Sequence, residues 1–494
     1  MKTIAILFLA FSLLAGVWIS AERSLPERPQ HEGKVVLFGN LHAHSKLSDD
    51  VDGEEDELLP SKAFPYAQQH GLDFLAITDH HKATDSDHTL RMEPDEYKTK
   101  LFDVAKQYNM DHAGEFIAIP GIEWGNTATG NHVNLIGAKM LPPDSIKDKE
   151  YDEIYTWAVA NCEFVQFNHP KGWEGKHPHD ETVGNFGEKR YPTIAKFVAG
   201  AGQRVRTVSI ISSVAGGHIG GEHADSEAKT HREMTSESNY REFLNMGFHI
   251  SPAANQDTHG PNWGTVTAAR TAAWADGVSY DQLMDAFRAN RVYTTEDDEL
   301  VVAFQVKYNG QTHWMGETVP LDSDEDDVEL LVKVWQAAGS DGDNTNEGPY
   351  TIQIISDADG IGGQAASPLG QPIKNVPSGT LKKIPLSVQR GQYVYIQVTE
   401  QKGKDNLVGE GDDIFINATG ASGHDGKRDN PNDSAWTSPV WFGTAPTGGM
   451  FVWSVNSSKY HDPNCWAIES IGAANRRTGP APAGKTKHNC HPSP

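Results

Sequence analysis

The residues of this chain that are best suited to chemistry are histidines and carboxylates, spaced so that several of them can share one pocket. His42 and His44 stand two residues apart shortly after the apolar run KVVLF, and Asp49 follows them. Side chains at positions i and i+2 of an extended segment point to the same side, so both imidazoles can meet one ion. The spacing makes His42 and His44 candidate metal ligands, and the loop that follows can return Asp49 to the same pocket.

Similar groups accompany other apolar runs. His80 belongs to the polar sequence TDHH that ends the run FLAI, where burial without partners would be costly. Asp257 and His259 repeat the i, i+2 spacing. The other candidates stand singly beside apolar runs, namely Glu123, His132 and His169.

This ligand chemistry favours particular metals. Nitrogen and oxygen ligands without thiolates suit zinc, manganese or iron. Nine candidates exceed what one ion needs, so we expect two or three divalent metal ions. Such centres activate water as the attacking group, and no separate nucleophile motif is visible.

These residues need a scaffold that brings the ends of distant segments together. Between residues 34 and 298, short apolar runs alternate with helical stretches, for example a predicted helix over 61–70 before a predicted strand over 74–77. Apolar strands that alternate with helices are typical of parallel strands buried on both faces. Nearly every strand ends in His, Asp or Glu, which favours a βα barrel over a doubly wound sheet, because βα barrels carry their active sites at strand carboxyl ends.

The order of these segments resembles the PHP (polymerase and histidinol phosphatase) superfamily of metal-dependent phosphoesterases. The resemblance covers residues 34–298. Its motifs are H-x-H-S-x-x-S-D at 42–49, L-A-I-T-D-H at 75–80, G-I-E-W at 121–124, N-H-P at 168–170 and D-T-H at 257–259, with His132 before another apolar run. The resemblance implies a distorted (β/α)7 barrel with a trinuclear metal centre.

The resemblance also assigns the candidate ligands to three ions. The first ion would be held by His42, His44, Glu123 and Asp257. Glu123 would bridge to a second ion held by His132 and His169. The third ion would be held by Asp49, His80 and His259.

The rest of the chain predicts further parts. Strand periodicity without long helices predicts a β-sandwich-like domain over 299–445, followed by a Gly/Pro-rich segment over 446–494. Residues 1–21 have the pattern of a signal peptide, so we expect a secreted or periplasmic protein. Residues 171–240 are rich in polar residues and predict an insertion over the mouth of the site. The predicted fold class is α/β, with a PHP-type barrel before the β-sandwich-like domain.

The composition narrows the classes of partner that the protein is expected to bind. Lys and Arg total 42 against 67 Asp and Glu, and a formal net charge of −25 repels polyanions, so we expect no nucleic-acid partner. No second apolar segment of about 18 residues follows the first, so we expect no membrane span in the mature chain. Of the three cysteines, Cys162 is predicted to be a buried thiol, whereas Cys465 and Cys490 are candidates for pairing in an oxidising compartment.

The favoured function is a secreted metal-dependent phosphoesterase, either a phosphatase or a phosphodiesterase, acting on a small-molecule ester. The signal segment and the appended β domain also resemble a subgroup of PHP-like metallohydrolases that includes carbamate-ester hydrolases, and the segment AWTSPVW at 435–441 is similar to a strand motif of that subgroup. Hydrolysis of a carbamate, amide or carboxylic ester therefore stays open. The alternative from another functional class is a binding protein, in which the β domain binds a surface or a glycan and the barrel is vestigial.

Overall fold

The structure is a computed structural model, and it describes only part of the chain. The described residues are 28–48, 51, 57–81, 92–125, 132–146, 151–168, 205–214, 232–235, 237–245, 248–265, 267–337, 348–357, 367–400, 414–416, 434–444, 451–454, 457–461, 476–479 and 485–487. Asp49 and His169 lie outside them, as do the segment 1–21, Cys465 and Cys490. The predictions made for these residues stay predictions.

Strands dominate the described residues, and the helices are few and short. The first elements are β1 (Gln30–His31), β2 (Lys34–Asn40), α1 (Pro60–Gln69), β3 (Phe74–Ile77), β4 (His80–His81), α2 (Pro94–Glu96), a π-helical segment (Tyr97–Phe102), α3 (Asp103–Asp111), β5 (Ile117–Trp124), β6 (Val133–Ile136), α4 (Tyr151–Asn161) and β7 (Phe164–Phe167). Next come β8 (Val205–Val214), β9 (Arg232–Thr235), α5 (Glu237–Asn245), β10 (Ser251–Asn255), β11 (Arg270–Ala275), α6 (Tyr280–Arg288) and β12 (Val292–Thr295).

The C-terminal part of the described chain consists of strands. These are β13 (Leu300–Tyr308), β14 (Gln311–Trp314), β15 (Thr318–Leu321), β16 (Glu325–Gln336), β17 (Tyr350–Ser356), β18 (Ser367–Val376), β19 (Lys382–Gln389), β20 (Tyr393–Glu400), β21 (Ile414–Ile416), β22 (Ser434–Thr437), β23 (Val440–Thr444), β24 (Phe451–Ser454), β25 (Lys459–His461), β26 (Arg476–Gly479) and β27 (Thr486–Lys487). No described helix is both long enough and apolar enough to cross a bilayer.

The sheet that carries the candidate ligands is mixed. Strands β2, β3 and β5 are parallel, β6 is antiparallel to both β5 and β7, and β7, β8 and β10 are parallel. On the other side of β2, strands β11 and β12 follow in antiparallel order. The expected parallel order is therefore interrupted by two strands, β6 and β11, which run opposite to their neighbours. Between β5 and β6 the chain spans 125–132, which is shorter than the dozen or more residues that a parallel crossover needs.

Strand β8 lies between β7 and β10 and pairs with both of them. It therefore belongs to the main sheet, although the sequence predicted one long insertion over 171–240. The apolar run at 205–211 fits this position, because an inner strand that is covered on both faces is rich in apolar residues. Tyr240 of α5, at the end of the segment, also lies in the core.

The strands bury both of their faces. In β3, Leu75 and Ile77 pack in one apolar cluster with Phe64 of α1, whereas Phe74 packs in a second cluster with Phe287 of α6. Successive residues of a strand point to opposite faces, so a run that is apolar throughout requires cover on both sides. The same burial accounts for Cys162, which is buried as predicted.

The C-terminal strands continue the main sheet. Strand β22 is antiparallel to β12 on one side and to β20 on the other, while β13, β14, β16 and β19 form a separate four-stranded sheet. Trp274 of β11 shares an apolar cluster with Leu300 and Val332 of the C-terminal strands. The molecule is therefore a mixed α/β protein with a large central sheet.

Candidate metal centre

The described candidate ligands converge at one end of the main sheet. Pairing of β4 with β5 sets His80 opposite Glu123, and the backbone N–H of Asp257 donates to the carbonyl of His42 at 3.0 Å. His132 precedes β6, and because that strand runs antiparallel to β5, its start lies at the same end of the sheet. The residues that meet there are His42, His44, His80, Glu123, His132, Asp257 and His259.

Four of these residues form a grouping at the base of the site, namely His42, His44, Glu123 and Asp257. The two histidine Nε2 atoms are 3.2 Å apart. Each of them lies between 3.0 and 3.3 Å from Glu123 Oε2 and Asp257 Oδ1. Four ligands about 2.0–2.1 Å from a tetrahedral zinc ion would lie roughly 3.3 Å from one another. The observed separations therefore fit one divalent cation between the four atoms.

Glu123 takes part in two groupings, because its two carboxylate oxygens face different residues. Oε2 lies 3.1 Å from His80 Nδ1 and close to the His42 and His44 Nε2 atoms. Oε1 lies 2.8 Å from His132 Nδ1. The side chain is only 1% exposed. A carboxylate that bridges two cations presents one oxygen to each of them, and the two oxygens of Glu123 face different residues in this way.

The groupings differ from the assignment that the family resemblance implied at two histidines, His44 and His80. His44 belongs to the grouping at the base and also to one with His80 and His259. His80 belongs to a grouping with His44 and His259, and also to one with Glu123 and His132. It therefore borders two positions, whereas the resemblance placed it with His259 alone among the described residues. The ligand roles of all these residues stay predictions, and those of Asp49 and His169 fall outside the described residues.

The electrostatics of the cluster suit a cation. Burial acts to lower the pKa of His44, but the carboxylates of Asp257 and Glu123 outweigh it and raise that pKa well above its usual value. Burial acts to raise the pKa of both carboxyl groups, yet the neighbouring histidines hold each pKa well below its usual range. The carboxylates are therefore ionised at neutral pH, as metal ligands must be.

Among the described candidate ligands, solvent exposure is concentrated on two side chains. The side chains of His42 and His44 are 0% exposed, whereas Asp257 is 19% and His259 is 23% exposed. Asp257 and His259 are therefore the most exposed of the described candidate ligands. A cavity of about 430 Å³ elsewhere, lined by side chains such as Phe102, Met110 and Tyr280, includes none of the candidate ligands.

The backbone at Asp257 is unusual and helps to place two ligands. Its φ of +47° lies in the left-handed region, which Asp tolerates better than most residues. The Asp257 carbonyl lies 2.9 Å from His259 Nδ1 and accepts a hydrogen bond from it. That bond keeps the proton on Nδ1 and leaves Nε2 of His259 available to a metal.

Buried amides around the cluster were missed by the sequence prediction. Asn168 Nδ2 donates to Glu123 Oε1 at 2.9 Å and to Asn134 Oδ1 at 2.7 Å. Asn40 Oδ1 accepts the backbone N–H of His42 at 3.0 Å. A sequence signal does exist for them, because each amide interrupts or ends an apolar run. Partners of this kind orient metal ligands and fix their chemistry.

Comparisons with known proteins give structural neighbours only. No protein-family model and no curated protein matches the chain. It is similar to a two-domain protein from Bacteroides vulgatus containing a predicted PHP-like metal-dependent phosphoesterase, at 13% identity and a TM-score of 0.39, covering 76% of this chain and 94% of that one. It is also similar to PsfC from Pseudomonas syringae, at 14% identity and a TM-score of 0.31, covering 52% of this chain and 89% of that one.

A third neighbour is the lesion-specific endonuclease PfuEndoQ from Pyrococcus furiosus, at 14% identity and a TM-score of 0.28, covering 51% of this chain and 56% of that one. The motif histidines and carboxylates, for their part, meet in one cluster with metal-ligand spacing. The described motif residues on which the resemblance to the PHP superfamily depends therefore lie together in this structure.

Proposed function

We propose that this chain is a metal-dependent hydrolase that acts on phosphate esters of small molecules, as a phosphatase or a phosphodiesterase. The observation that carries the proposal is the position of Glu123, whose Oε2 faces His42, His44 and His80 while its Oε1 faces His132. A buried carboxylate shared between two ligand groups is suited to hold two cations a short distance apart. Two-metal sites of this kind are typical of phosphatases and nucleases.

The residues divide the work of such a site. Divalent ions, when bound, acidify water to a nucleophile near neutral pH and clamp the oxygens of a phosphoryl group. Glu123 and the buried histidines would fix the positions of the bound ions, and Asn168 orients the Glu123 carboxylate. Asp257 and His259 form the exposed rim, from which a histidine or aspartate of the cluster would protonate the leaving group.

Attack by water also agrees with the hydroxyl groups next to the cluster. The hydroxyls of Ser45 and Ser48 lie 2.6 and 3.0 Å from the carboxylate oxygens of Asp79 and donate to them. Both serines are 0% exposed. Neither hydroxyl therefore points to the open side of the site as a nucleophile would.

Metal analysis followed by an ester panel tests the proposal. The purified protein is assayed with Mn²⁺ or Zn²⁺ against p-nitrophenyl phosphate, bis-p-nitrophenyl phosphate, a naphthyl carbamate and a short oligonucleotide. We expect bound divalent metal, turnover of a phosphate ester and none of the oligonucleotide. If the protein hydrolyses only the carbamate, the proposed substrate class changes from phosphate esters to carbamates. If it contains no metal, the alternative of a binding module is favoured.

Two variants and a matched control sharpen that experiment. His42→Ala and Asp257→Ala remove ligands of the buried grouping, so we expect loss of activity with the fold retained. His313→Ala removes a histidine that contacts Glu317 in the C-terminal strands, and we expect it to keep activity. Full turnover by either ligand variant would exclude the assignment.

The finer architecture and the location of the protein form part of the proposal. An isolated parallel bridge joins Ala43 to Thr258, and Leu41 N–H donates to Asn255 Oδ1, which supports closure of β2 and β10 into a distorted barrel. The apolar cluster shared by Val332 and Val398 supports a sandwich of two C-terminal sheets.

The proposal that the protein is exported rests on residues 1–21. Sequencing the N-terminus of protein recovered from the periplasm or the medium tests it.

A further inference from the structure

The hydroxyl of Ser48 contacts two candidate metal ligands from behind the cluster. Ser48 Oγ lies 3.3 Å from His44 Nδ1 and 2.8 Å from the backbone nitrogen of His80. It also lies 3.0 Å from Asp79 Oδ1. Ser48 and His44 are both 0% exposed. One hydroxyl thus joins the segment after β2 to the segment after β3, each of which carries a ligand.

The direction of each hydrogen bond follows from what the groups can do. A hydroxyl has one proton to donate and two lone pairs that accept. Asp79 as a carboxylate only accepts, so the Ser48 proton points to Asp79. The backbone N–H of His80 can only donate, so it occupies one lone pair. The second lone pair then accepts from His44, and Nδ1 of that imidazole carries a proton.

This arrangement matters because His44 faces the cluster with its other nitrogen. Nε2 of His44 lies 3.0 Å from Asp257 Oδ1 and 3.3 Å from Glu123 Oε2. An imidazole with its proton held on Nδ1 presents the lone pair of Nε2 to a metal. Partners that fix a ligand's tautomer also raise its basicity and its affinity for the ion.

We propose that Ser48 is a positioning residue of the metal centre. It accepts a hydrogen bond from Nδ1–H of His44, so that Nε2 faces the cation, and it accepts the backbone N–H of His80 and so holds that backbone in place. The inference rests on the proposed function, because it needs a metal at the cluster. Asp79 acts through Ser48 by accepting the hydrogen bond that the hydroxyl donates, and so orients the lone pair that faces His44.

Ser45 offers a matched control in the same loop. Its hydroxyl donates to Asp79 Oδ2 at 2.6 Å, and its backbone N–H donates to Asp79 Oδ1, also at 2.6 Å. It is as buried as Ser48. Ser45→Ala and Ser48→Ala each remove one hydrogen bond to Asp79, but only Ser48→Ala removes the partner of His44 Nδ1.

The experiment titrates the metal-free full chain with Co²⁺ and follows visible absorption, which reports affinity and the number of ions. We expect Ser48→Ala to weaken binding about 10- to 100-fold, and Ser45→Ala to leave the affinity at the wild-type value. In the ¹H spectrum of the Zn²⁺-loaded protein, we expect the Nδ1–H signal of His44 to exchange slowly in wild type and Ser45→Ala, and rapidly in Ser48→Ala.

Further variants cover the remaining outcomes. Ser48→Thr keeps a hydroxyl, and we expect it to restore the affinity that Ser48→Ala loses. If Ser48→Ala does not fold, Ser48→Cys, whose thiol is a weak acceptor, takes its place with the same expected loss. Equal weakening by the two alanine variants, or wild-type affinity in Ser48→Ala, would overturn the positioning role alone. Failure of the wild-type chain to bind Co²⁺ would overturn the proposed function as well.

Discussion

At the scale of single residues, the site depends on carboxylates that stay charged although burial disfavours their charged form. Glu123 is almost without solvent contact, and its compensation comes from histidines on several sides and from Asn168. A buried carboxylate without such partners would be neutral. The histidines thus keep these carboxylates ionised, which is the form that binds a divalent cation.

Glu123→Gln tests how far the site depends on the negative charge of this carboxylate, with almost no change in the shape of the side chain. The amide keeps the volume but loses the charge and one acceptor oxygen, so we expect fewer bound ions per chain and roughly 100-fold or greater loss of turnover. Elemental analysis and the ester assay measure both effects. Glu115→Gln, at a carboxylate that contacts His112 away from the cluster, serves as the control. A Glu123→Gln protein with full metal content would contradict a bridging role.

The protonation of His44 predicts how metal binding depends on pH. In the metal-free cluster, Asp257 and Glu123 raise the pKa of His44 well above its usual value, so the imidazole is protonated at neutral pH. A metal must displace that proton, because the ligand nitrogen binds only when deprotonated. We therefore expect affinity to fall as pH is lowered through the neutral range, with proton release on binding. Calorimetry in buffers of different ionisation enthalpy measures the release, and binding without proton release would contradict it.

At the scale of elements, the relative position of β2 and β3 sets the distance between the first histidines and His80. Gly39 of β2 lies directly opposite Phe74 of β3. A Cβ atom at Gly39 would overlap the carbonyl oxygen and ring of Phe74. The close approach of these two strands therefore depends on glycine at this position.

Gly39→Ala should separate the two strands. We expect the free energy of unfolding to fall by roughly 1–3 kcal/mol, the usual cost of overpacking, and metal affinity to fall with it because His42 follows β2 directly. Thermal unfolding and Co²⁺ titration measure the two effects. An alanine variant with wild-type stability and affinity would show that the strands have room to adjust.

Much of the element order, and the motifs that meet at the site, could be predicted from the sequence. The bounds predicted for β3 are those observed, because short apolar runs between polar turns define a buried strand. Periodicity carries no information on direction, so the antiparallel direction of β6 was missed, although the short connection over 125–132 indicates it. The role of Asn168 was also missed, because it depends on a contact with the distant Glu123.

At the scale of the whole molecule, the two predicted domains share their core and their sheet. Trp436 and Trp441 pack in the same cluster as Trp124 of β5. Ser434 and Glu296 exchange hydrogen bonds across the junction, with Ser434 N–H donating to Glu296 Oε2 at 2.8 Å. The AWTSPVW segment that resembled a subgroup motif therefore lies where the C-terminal strands meet the ligand-bearing part.

A chain truncated after Asp298 should not fold on its own. Removing the later strands exposes the edge of β12 and an apolar surface, and such edges promote aggregation. We expect the truncated protein to be insoluble, or to lack near-ultraviolet circular dichroism, whereas the full chain unfolds in one cooperative transition. A soluble 22–298 fragment that melts cooperatively and binds metal as the full chain does would contradict this expectation.

The ladder between β12 and β22 also limits how this architecture can have evolved. A C-terminal region acquired by gene fusion would begin as an independent unit joined by a linker, and it could later be exchanged for another. Here Tyr293 pairs with Thr437 and Thr295 with Ala435, so any exchanged region must supply a strand of the same register. Recombination at residue 298 would therefore yield viable proteins only between close relatives, and substrate specificity would diversify through substitutions around Asp257 and His259 in preference to domain shuffling.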